Sequence, residues 1–349
     1  MDTNDFQTQK HSAYTLKTRE IQKELPSFCA SFFRSIESTT SVLTRYAYAV
    51  DLRGFFQYIT REPELFPGRE VSSLTLDDLN KIKAVHLEMY LEQMSLYYKD
   101  DREIVNKDRA KARKLSALRS FFKYYFRQEL ISVNVAALLD TPKIRDKAII
   151  RLEPNEVADL LDMAENGKGL TDRQRQYHRN TRTRDVAILT LFLGTGIRIS
   201  ELVGIDMDDI DFANSEFVIT RKGGAEDILA FGDEVASALF AYLEERKAII
   251  PIAGHENALF LSSQRKRITA RAVEYLVKKY AAVATPLKKI TPHKLRSTYG
   301  TMLYHETKDI YLVADVLGHK DVNTTKKHYA AQSQDNRRIA AKSIKLREE

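Results

Sequence analysis

Five residues of the chain carry the kinds of side chain that act on a phosphate group. Four of them follow one another in the last quarter of the sequence, in the order His293, Arg296, His319 and Tyr329. The fifth, Arg198, lies far upstream within Thr-Gly-Ile-Arg-Ile-Ser-Glu-Leu. A guanidinium can hold two phosphate oxygens at once, and an imidazole can donate a hydrogen bond or move a proton. A tyrosine hydroxyl can attack phosphorus once neighbouring positive charge lowers its pKa.

The residues around His293 and Arg296 predict a helix that begins at this point. Thr291 suits the N-cap and Pro292 suits the first helical position, where its missing N–H has no partner to lose. His293 and Arg296 then lie three residues apart on one face of the first turn. Because a helix N-terminus carries partial positive charge, this turn favours an anion.

Two further glycine-containing segments are expected to place His319 and Arg198. The apolar pattern from Asp309 to Leu317 predicts a helix, and Gly318 fits the left-handed residue that ends it directly before His319. Residues 184–192 predict a buried helix that Gly194-Thr195-Gly196 interrupts, so that Arg198 falls in the first turn of the next helix. Glu201, three residues on, could hold Arg198 in place, or could form an ordinary surface pair with it. Residues 324–330 continue helically and carry Tyr329.

This order of Arg, His-x-x-Arg, His and Tyr resembles the active site of the tyrosine recombinases, and the surrounding residues look most like the Xer branch. The resemblance implies DNA cleavage by Tyr329 through a 3′-phosphotyrosine, with Arg198, Arg296, His293 and His319 around the phosphate. Arg-Lys-Gly-Gly at 221–224 matches the catalytic hairpin of the family, which implies Lys222 as the general acid. Many relatives carry an acidic residue at the position of Lys294 and a His at that of Ser297, so placement within the family stays open.

Composition is consistent with a DNA-binding protein and excludes several other classes. The chain has 349 residues, 43% of them hydrophobic, a net charge of +7 and a pI near 9.1. This positive charge is typical of proteins that bind nucleic acid, and it is also compatible with a basic soluble enzyme that binds none. Its one cysteine, Cys29, excludes an internal disulfide and a multi-cysteine zinc site. No apolar run is long enough to span a membrane, and no signal peptide is evident, so a cytoplasmic location is expected. The sequence predicts no metal and no cofactor.

The predicted fold is mainly α, with a small β-hairpin in the C-terminal domain, in a two-domain clamp around DNA. Residues 1–20 are predicted as a polar lead-in, residues 21–140 as a helical core-binding domain and residues 141–152 as a linker. Residues 153–332 form the predicted catalytic domain, whose hairpin spans 216–231, and residues 333–349 a tail that docks in a neighbouring protomer. Residues 165–183 are predicted as a polar loop that contains His178. This loop is either a surface insertion without a function or a feature that resembles the subset of Xer enzymes that act alone.

A basic face on the helix predicted at 106–130 is the main candidate surface for the DNA backbone. Its other face carries leucines and aromatic residues, which indicates one side in a core and one towards phosphates, although a solvated charged helix is the alternative. The run at 113–124 resembles the DNA-gripping helix of the Xer core-binding domain. The predicted DNA-binding residues are Lys107, Arg109, Lys111, Arg113, Lys114, Arg119 and Lys123, with Arg265 and Arg267 (and Lys266 between them) in the second domain.

The partner implied by the resemblance is double-stranded DNA carrying an inverted-repeat recombination site. Paired sites would hold a homotetramer, the protein being a monomer or dimer otherwise, and no membrane is involved. The alternatives are an enzyme similar to type IB topoisomerases and a DNA-binding accessory protein that has lost catalysis. Within the recombinases, chromosome-dimer resolution and mobile-element integration both remain possible, and the short N-terminus favours the former.

Overall fold

The structure is a computed structural model that describes residues 6–99, 101–142, 150–221, 223–319 and 321–326. The chain divides into two compact units, Met1–Lys147 and Ala148–Glu349. Helices dominate both units, as the sequence predicts, and each unit also contains a small antiparallel sheet. Within the described ranges, no helix is both long enough and apolar enough to cross a membrane.

The first unit is a helical bundle with one short β-hairpin. Its elements are α1 Phe6–Lys23, α2 Cys29–Ser35, α3 Val42–Ile59, α4 Leu76–Lys81, α5 Ala84–Gln93, β1 Leu96–Lys99, β2 Arg102–Val105 and α6 Asp108–Arg127, with short 3-10 helices at Val71–Ser73 and Val135–Ala137.

Aromatic rings fill the core of the first unit. Phe32, Phe56, Phe121 and Phe122 are fully buried, and Phe121 stacks edge-on to Tyr125 at 4.9 Å between ring centroids. Burial of one such side chain contributes about 1.5–3 kcal/mol to folding. The apolar face predicted for the helix at 106–130 is therefore confirmed as the face of α6 that enters the core.

One prediction for the first unit is wrong, and one of its elements was not predicted. Residues from Phe6 onward form helix α1 and not a lead-in, because Ile21 is buried and the Tyr14 ring packs edge-on against Tyr46 of α3 at 5.3 Å. The segment between α5 and α6 forms the β1–β2 hairpin, in which Leu96 pairs with Val105. These strands are short and charged, with Leu96 and Val105 exposed, so they lack the alternating apolar pattern that identifies a strand.

The second unit surrounds a buried helix, α9. Its elements are α7 Pro154–Asn166, α8 Asp172–Arg179, α9 Arg182–Thr195, α10 Ile199–Leu202, β3 Ile210–Asp211, β4 Glu216–Thr220, β5 Glu226–Ala230, α11 Asp233–Lys247, α12 Ala270–Ala284, α13 Pro292–Thr307, α14 Ile310–Val316 and α15 Val322–Thr325, with a 3-10 helix at Met207–Asp209. Helix α9 packs against α7, α11 and α13, and nearly every residue of its central turns is buried.

The polar segment after α7 contains a helix, which corrects the prediction of a loop. Thr171 caps α8 by accepting a hydrogen bond from the backbone N–H of Gln174 at 3.4 Å. His178 is buried, its Nε2 lies 2.8 Å from the carbonyl of Ala164, and its ring packs edge-on against Tyr280. The sequence of α8 is polar throughout and does not show that the side chain of His178 points into the core.

The predicted hairpin is confirmed as β4 and β5. Phe217 pairs with Leu229 in an antiparallel register, and β3 adds a third strand beside β4. At the tip, Gly223 and Gly224 have φ values of +107° and +88°, a region that residues with a Cβ rarely enter.

Candidate active site

Arg198 is held at the start of α10 by a buried carboxylate. Gly196 ends α9 with a φ of +64°, which turns the chain so that Arg198 becomes the N-cap of α10. Glu201 is 3% exposed and accepts from the Arg198 backbone N–H at 2.9 Å and from its Nη1 at 2.8 Å. The suggested brace between these two residues is therefore present as a part-buried ion pair.

Arg296 meets Arg198 at the C-terminal end of α14. Arg296 lies in the first turns of α13, is 4% exposed, and donates from Nη1 to the Gly196 carbonyl and from Nη2 to the Leu317 carbonyl. Arg198 Nη2 donates to the same Leu317 carbonyl at 3.1 Å and to that of Gly318 at 3.0 Å. Since one carbonyl oxygen accepts from both side chains, the two guanidiniums lie side by side.

Both histidines belong to elements that border these guanidiniums. Gly318 adopts a φ of +56°, and the following backbone N–H of His319 donates to the Ala314 carbonyl at 2.9 Å, which closes the end of α14. His319 is half-buried, and its Nδ1 lies 2.7 Å from the Thr325 hydroxyl, a contact that orients the ring. His293 is exposed on the first turn of α13, one turn before Arg296.

Two predicted catalytic residues, Lys222 and Tyr329, lie outside the described residues. Another tyrosine, Tyr299, stands beside the site, because a Cβ on Gly196 would come 2.4 Å from its ring. Burial raises the pKa of Tyr299 above its usual value. Formation of its phenolate, the nucleophilic form, is therefore less favourable than for an ordinary tyrosine.

Sequence reasoning missed a third guanidinium at the site, that of Arg221. Its side chain is 11% exposed, and it pairs with Glu201 Oε2 at 3.4 Å and with Asp227 Oδ2 at 2.7 Å. Its Nη2 donates to the Val316 carbonyl at 3.2 Å. The hairpin prediction placed Arg221 next to Lys222 but could not show which way its side chain points.

The predicted DNA-binding residues of the first unit separate into two groups. Lys107, Arg109 and Lys123 are exposed on α6, and Lys111 is half-buried beside Ser95 and Asp108. The remaining three pair with groups of the protein itself: Lys114 is buried with its Nζ 3.3 Å from Asp51, Arg113 pairs with Asp51 although its side chain is 48% exposed, and Arg119 donates to the carbonyls of Ala136 and Leu139.

The two candidates in the second unit also differ. Arg265 is exposed in a turn with a φ of +60°. Arg267 pairs with Asp206 and donates to the carbonyls of Val203 and Ile205 at 3.2 and 3.1 Å. Arg267 therefore stabilises the segment after α10, and these contacts give no support for a contact between Arg267 and DNA.

The described part of the site brings positive charge and hydrogen-bond donors together around a position for one small anion. Two arginines fixed by carbonyls, with His319 beside them, can neutralise the non-bridging oxygens of a phosphate, a role that metal ions fill elsewhere. The carbonyl and carboxylate contacts hold the guanidiniums in place before an anion binds, so little reorganisation is needed.

Comparisons with known proteins identify the family of the chain. Residues 150–336 match the phage integrase family. The chain is 32% identical over 329 residues to the tyrosine recombinase XerC of Caldanaerobacter subterraneus, covering 89% of this chain and 86% of that protein. It is 29% identical over 333 residues to the tyrosine recombinase XerS of Streptococcus agalactiae, covering 88% and 93%.

Solved structures of a site-specific recombinase and of a transposon integrase have the same fold. The XerH site-specific recombinase bound to its difH substrate has a TM-score of 0.60 at 20% identity, over 86% of this chain and 80% of that one. The Tn1549 transposon integrase in complex with circular intermediate DNA has a TM-score of 0.65 at 18% identity, over 90% and 99%.

Proposed function

Since the chain belongs to the phage integrase family and is a tyrosine site-specific recombinase, we propose that Tyr329 is its nucleophile and that Arg198, Arg296, His293, His319 and Lys222 complete the active site. The observation that carries the proposal is the shared Leu317 carbonyl, which sets the guanidiniums of Arg198 and Arg296 side by side.

The first step is a transesterification that needs no ATP. The Tyr329 hydroxyl attacks the scissile phosphorus, a bond forms to the 3′-phosphate, and the bond from phosphorus to the 5′-oxygen breaks. Lys222 gives its proton to that oxygen, which leaves as a 5′-hydroxyl. The phosphodiester energy is kept in the phosphotyrosine, so the 5′-hydroxyl of a partner strand can reverse the chemistry and release the tyrosine.

The positive residues act mainly on charge that develops during these steps. Arg198 and Arg296 neutralise two non-bridging oxygens, and His319 donates a hydrogen bond to one of them. The same charge lowers the pKa of the Tyr329 phenol from its usual value of about 10. His293 helps to remove the phenol proton or braces the phosphate.

The substrate in this proposal is double-stranded DNA with an inverted-repeat site, on which four copies of the chain assemble when two sites pair. The exposed residues Lys107, Arg109, Lys123 and Arg265 contact its backbone. Chromosome-dimer resolution is the favoured role, because the relatives at 28–32% identity over most of the chain are XerC and XerS proteins. Relaxation of plasmid that lacks the site would instead indicate topoisomerase activity.

The test uses a duplex that carries the native binding sequence, selected with the protein from its own genome, with a nick beside the cleavage position that traps the covalent complex. Tyr329→Phe is expected to bind this duplex as the native protein does and to form no covalent adduct. Tyr311→Phe, which changes a tyrosine that is 71% exposed on α14, is the matched control and is expected to form the adduct normally. Adduct formation by Tyr329→Phe would refute the assignment of the nucleophile.

A further inference from the structure

Arg221 joins three parts of the second unit through one side chain. Its Nη1 lies 3.4 Å from Glu201 Oε2 in α10, its Nε donates to Asp227 Oδ2 of β5 at 2.7 Å, and its Nη2 donates to the Val316 carbonyl at the end of α14 at 3.2 Å. Arg221 itself directly follows β4. One guanidinium therefore ties the β4–β5 hairpin to the segment of Arg198 and to the turn that carries His319.

The charge of Arg221 is matched within the protein. All three of its guanidinium nitrogens have partners there, two of them carboxylates, and its side chain is 11% exposed. A guanidinium whose charge is matched by two carboxylates adds little attraction for a further anion. Arg221 is therefore suited to hold structure near the phosphate and not to bind it.

The turn before His319 is built to admit this side chain. A Cβ on Gly318 would come 2.9 Å from Arg221 Cζ and 3.1 Å from its Nε and Nη1. Distances below 3.0 Å are closer than a real Cβ tolerates, so with any residue other than glycine at position 318 the guanidinium of Arg221 would have to shift. The φ of +56° at Gly318 independently favours glycine there.

The tip of the hairpin has few other anchors among the described residues. The paired register ends at Thr220 and Glu226, and the Arg221 backbone closes the tip by donating to the Ala225 carbonyl at 2.7 Å. A Cβ on Gly223 or Gly224 would meet no atom within 4 Å, and most of β5 is exposed. A glycine-rich tip in open space would sample many positions unless its base were fixed.

We propose that Arg221 is a positioning residue that fixes the base of the hairpin tip, so that the next residue, Lys222, reaches the departing 5′-oxygen. This inference rests on the proposed function, in which Lys222 is the general acid. Arg221 touches neither the DNA nor the reacting atoms. Its main effect is on the proton transfer, because Arg198 keeps its own hydrogen bonds to Glu201, Leu317 and Gly318 without it.

The experiment compares two nicked duplexes that differ in one atom. In the first, the scissile phosphate has its ordinary 5′-oxygen, and in the second this oxygen is replaced by sulfur. A thiol has a pKa of about 8.5, whereas the pKa of the hydroxyl formed from an oxygen leaving group is about 15, so the sulfur leaves as a thiolate without a proton from the enzyme. A defect in general-acid catalysis is therefore rescued by sulfur, and a defect in phosphate binding is not.

Arg221→Gln is expected to slow single-turnover cleavage of the oxygen duplex by about 100-fold, the lower end of what general-acid catalysis contributes, and to cleave the sulfur duplex within a few-fold of the native rate. Asp227→Asn removes one partner of Arg221 and is expected to show a smaller defect that sulfur also rescues. Arg221→Lys keeps the charge but not the three-way contact, and should fall between Arg221→Gln and native protein.

Lys222→Ala and Arg198→Ala are the reference variants. If sulfur fails to rescue Lys222→Ala, then Lys222 is not the general acid, and the proposed function is wrong at that residue. If sulfur rescues Lys222→Ala but not Arg221→Gln, then Arg221 acts on the phosphate pocket and the inference is overturned. A native rate for Arg221→Gln on the oxygen duplex would overturn it equally, and thermal unfolding of each variant identifies any loss of fold.

Discussion

Removal of the Arg198 guanidinium gives the sharpest quantitative expectation from this site. In Arg198→Ala, Glu201 keeps Arg221 as its remaining cationic partner at 3.4 Å, and the Leu317 carbonyl keeps Arg296. The folded state therefore loses a half-buried ion pair but leaves no buried carboxylate alone. We expect the free energy of unfolding to fall by about 1.5–3 kcal/mol, the contribution of one hydrogen bond to a charged group.

The loss in rate is expected to be larger than the loss in stability. Hydrogen bonds from a charged donor contribute about 1.5–3 kcal/mol each, and a guanidinium can make two of them to one phosphate. Part of that energy already stabilises bound DNA, so we expect about 3–4 kcal/mol to act on the transition state alone. At about 1.4 kcal/mol for each tenfold change, cleavage should slow by about 100- to 1000-fold.

The assay is single-turnover formation of the covalent complex on the nicked duplex, with protein in excess and binding measured separately. Arg198→Lys is the matched control, because it keeps the positive charge but loses the planar pair of donors, and it should recover part of the rate. Glu201→Gln keeps the shape of the brace and removes its charge, and its rate should lie between those of Arg198→Ala and native protein. A native cleavage rate for Arg198→Ala would remove Arg198 from the site and refute the reasoning.

Three further expectations concern the surroundings of the site. Burial alone would raise the pKa of Asp185, but Arg184 and Lys279 hold it below its usual range, so its contribution to stability is present above the unfolded pKa of about 4 and is lost as pH falls through the folded value. Asp185→Asn should therefore lower the free energy of unfolding at pH 7 by about 3–5 kcal/mol. In denaturant titrations the difference in this free energy between the variant and native protein should narrow below pH about 4, and a difference that does not depend on pH would contradict the expectation. Gly318→Ala should lower the free energy of unfolding by about 1–2 kcal/mol, because alanine tolerates the left-handed φ at this position less well than glycine does. It should also slow cleavage of the oxygen duplex, because the new Cβ displaces the Arg221 guanidinium, and a native cleavage rate would contradict the contact between position 318 and Arg221. Lys123→Ala should reduce the slope of the logarithm of the DNA-binding constant against the logarithm of the salt concentration by about 0.9. Lys114→Met, which changes a buried residue, should leave this slope unaltered, and equal effects of the two variants would show that burial does not separate the two lysines.

The sequence by itself determined the local signals of the site. Thr291-Pro292 predicts the start of α13, Gly318 predicts the left-handed end of α14, and the glycines after Lys222 predict the hairpin tip, all of which the structure confirms. These features depend on the backbone preferences of one or two residues, so neighbouring letters suffice to recognise them. The order of Arg198, His293, Arg296 and His319 likewise identifies the family without coordinates.

Tertiary structure alone decided which of these side chains meet and which basic residues turn inward. Arg198 reaches the Leu317 carbonyl across 119 positions of sequence, and Arg296 reaches that of Gly196 across 100. The burial of Lys114 on Asp51, and of His178 beneath α7, depends in the same way on partners far along the chain or on helix packing. Composition and periodicity predict which face of a helix is polar. The direction of one long side chain on that face instead depends on the partner that folding places beside it.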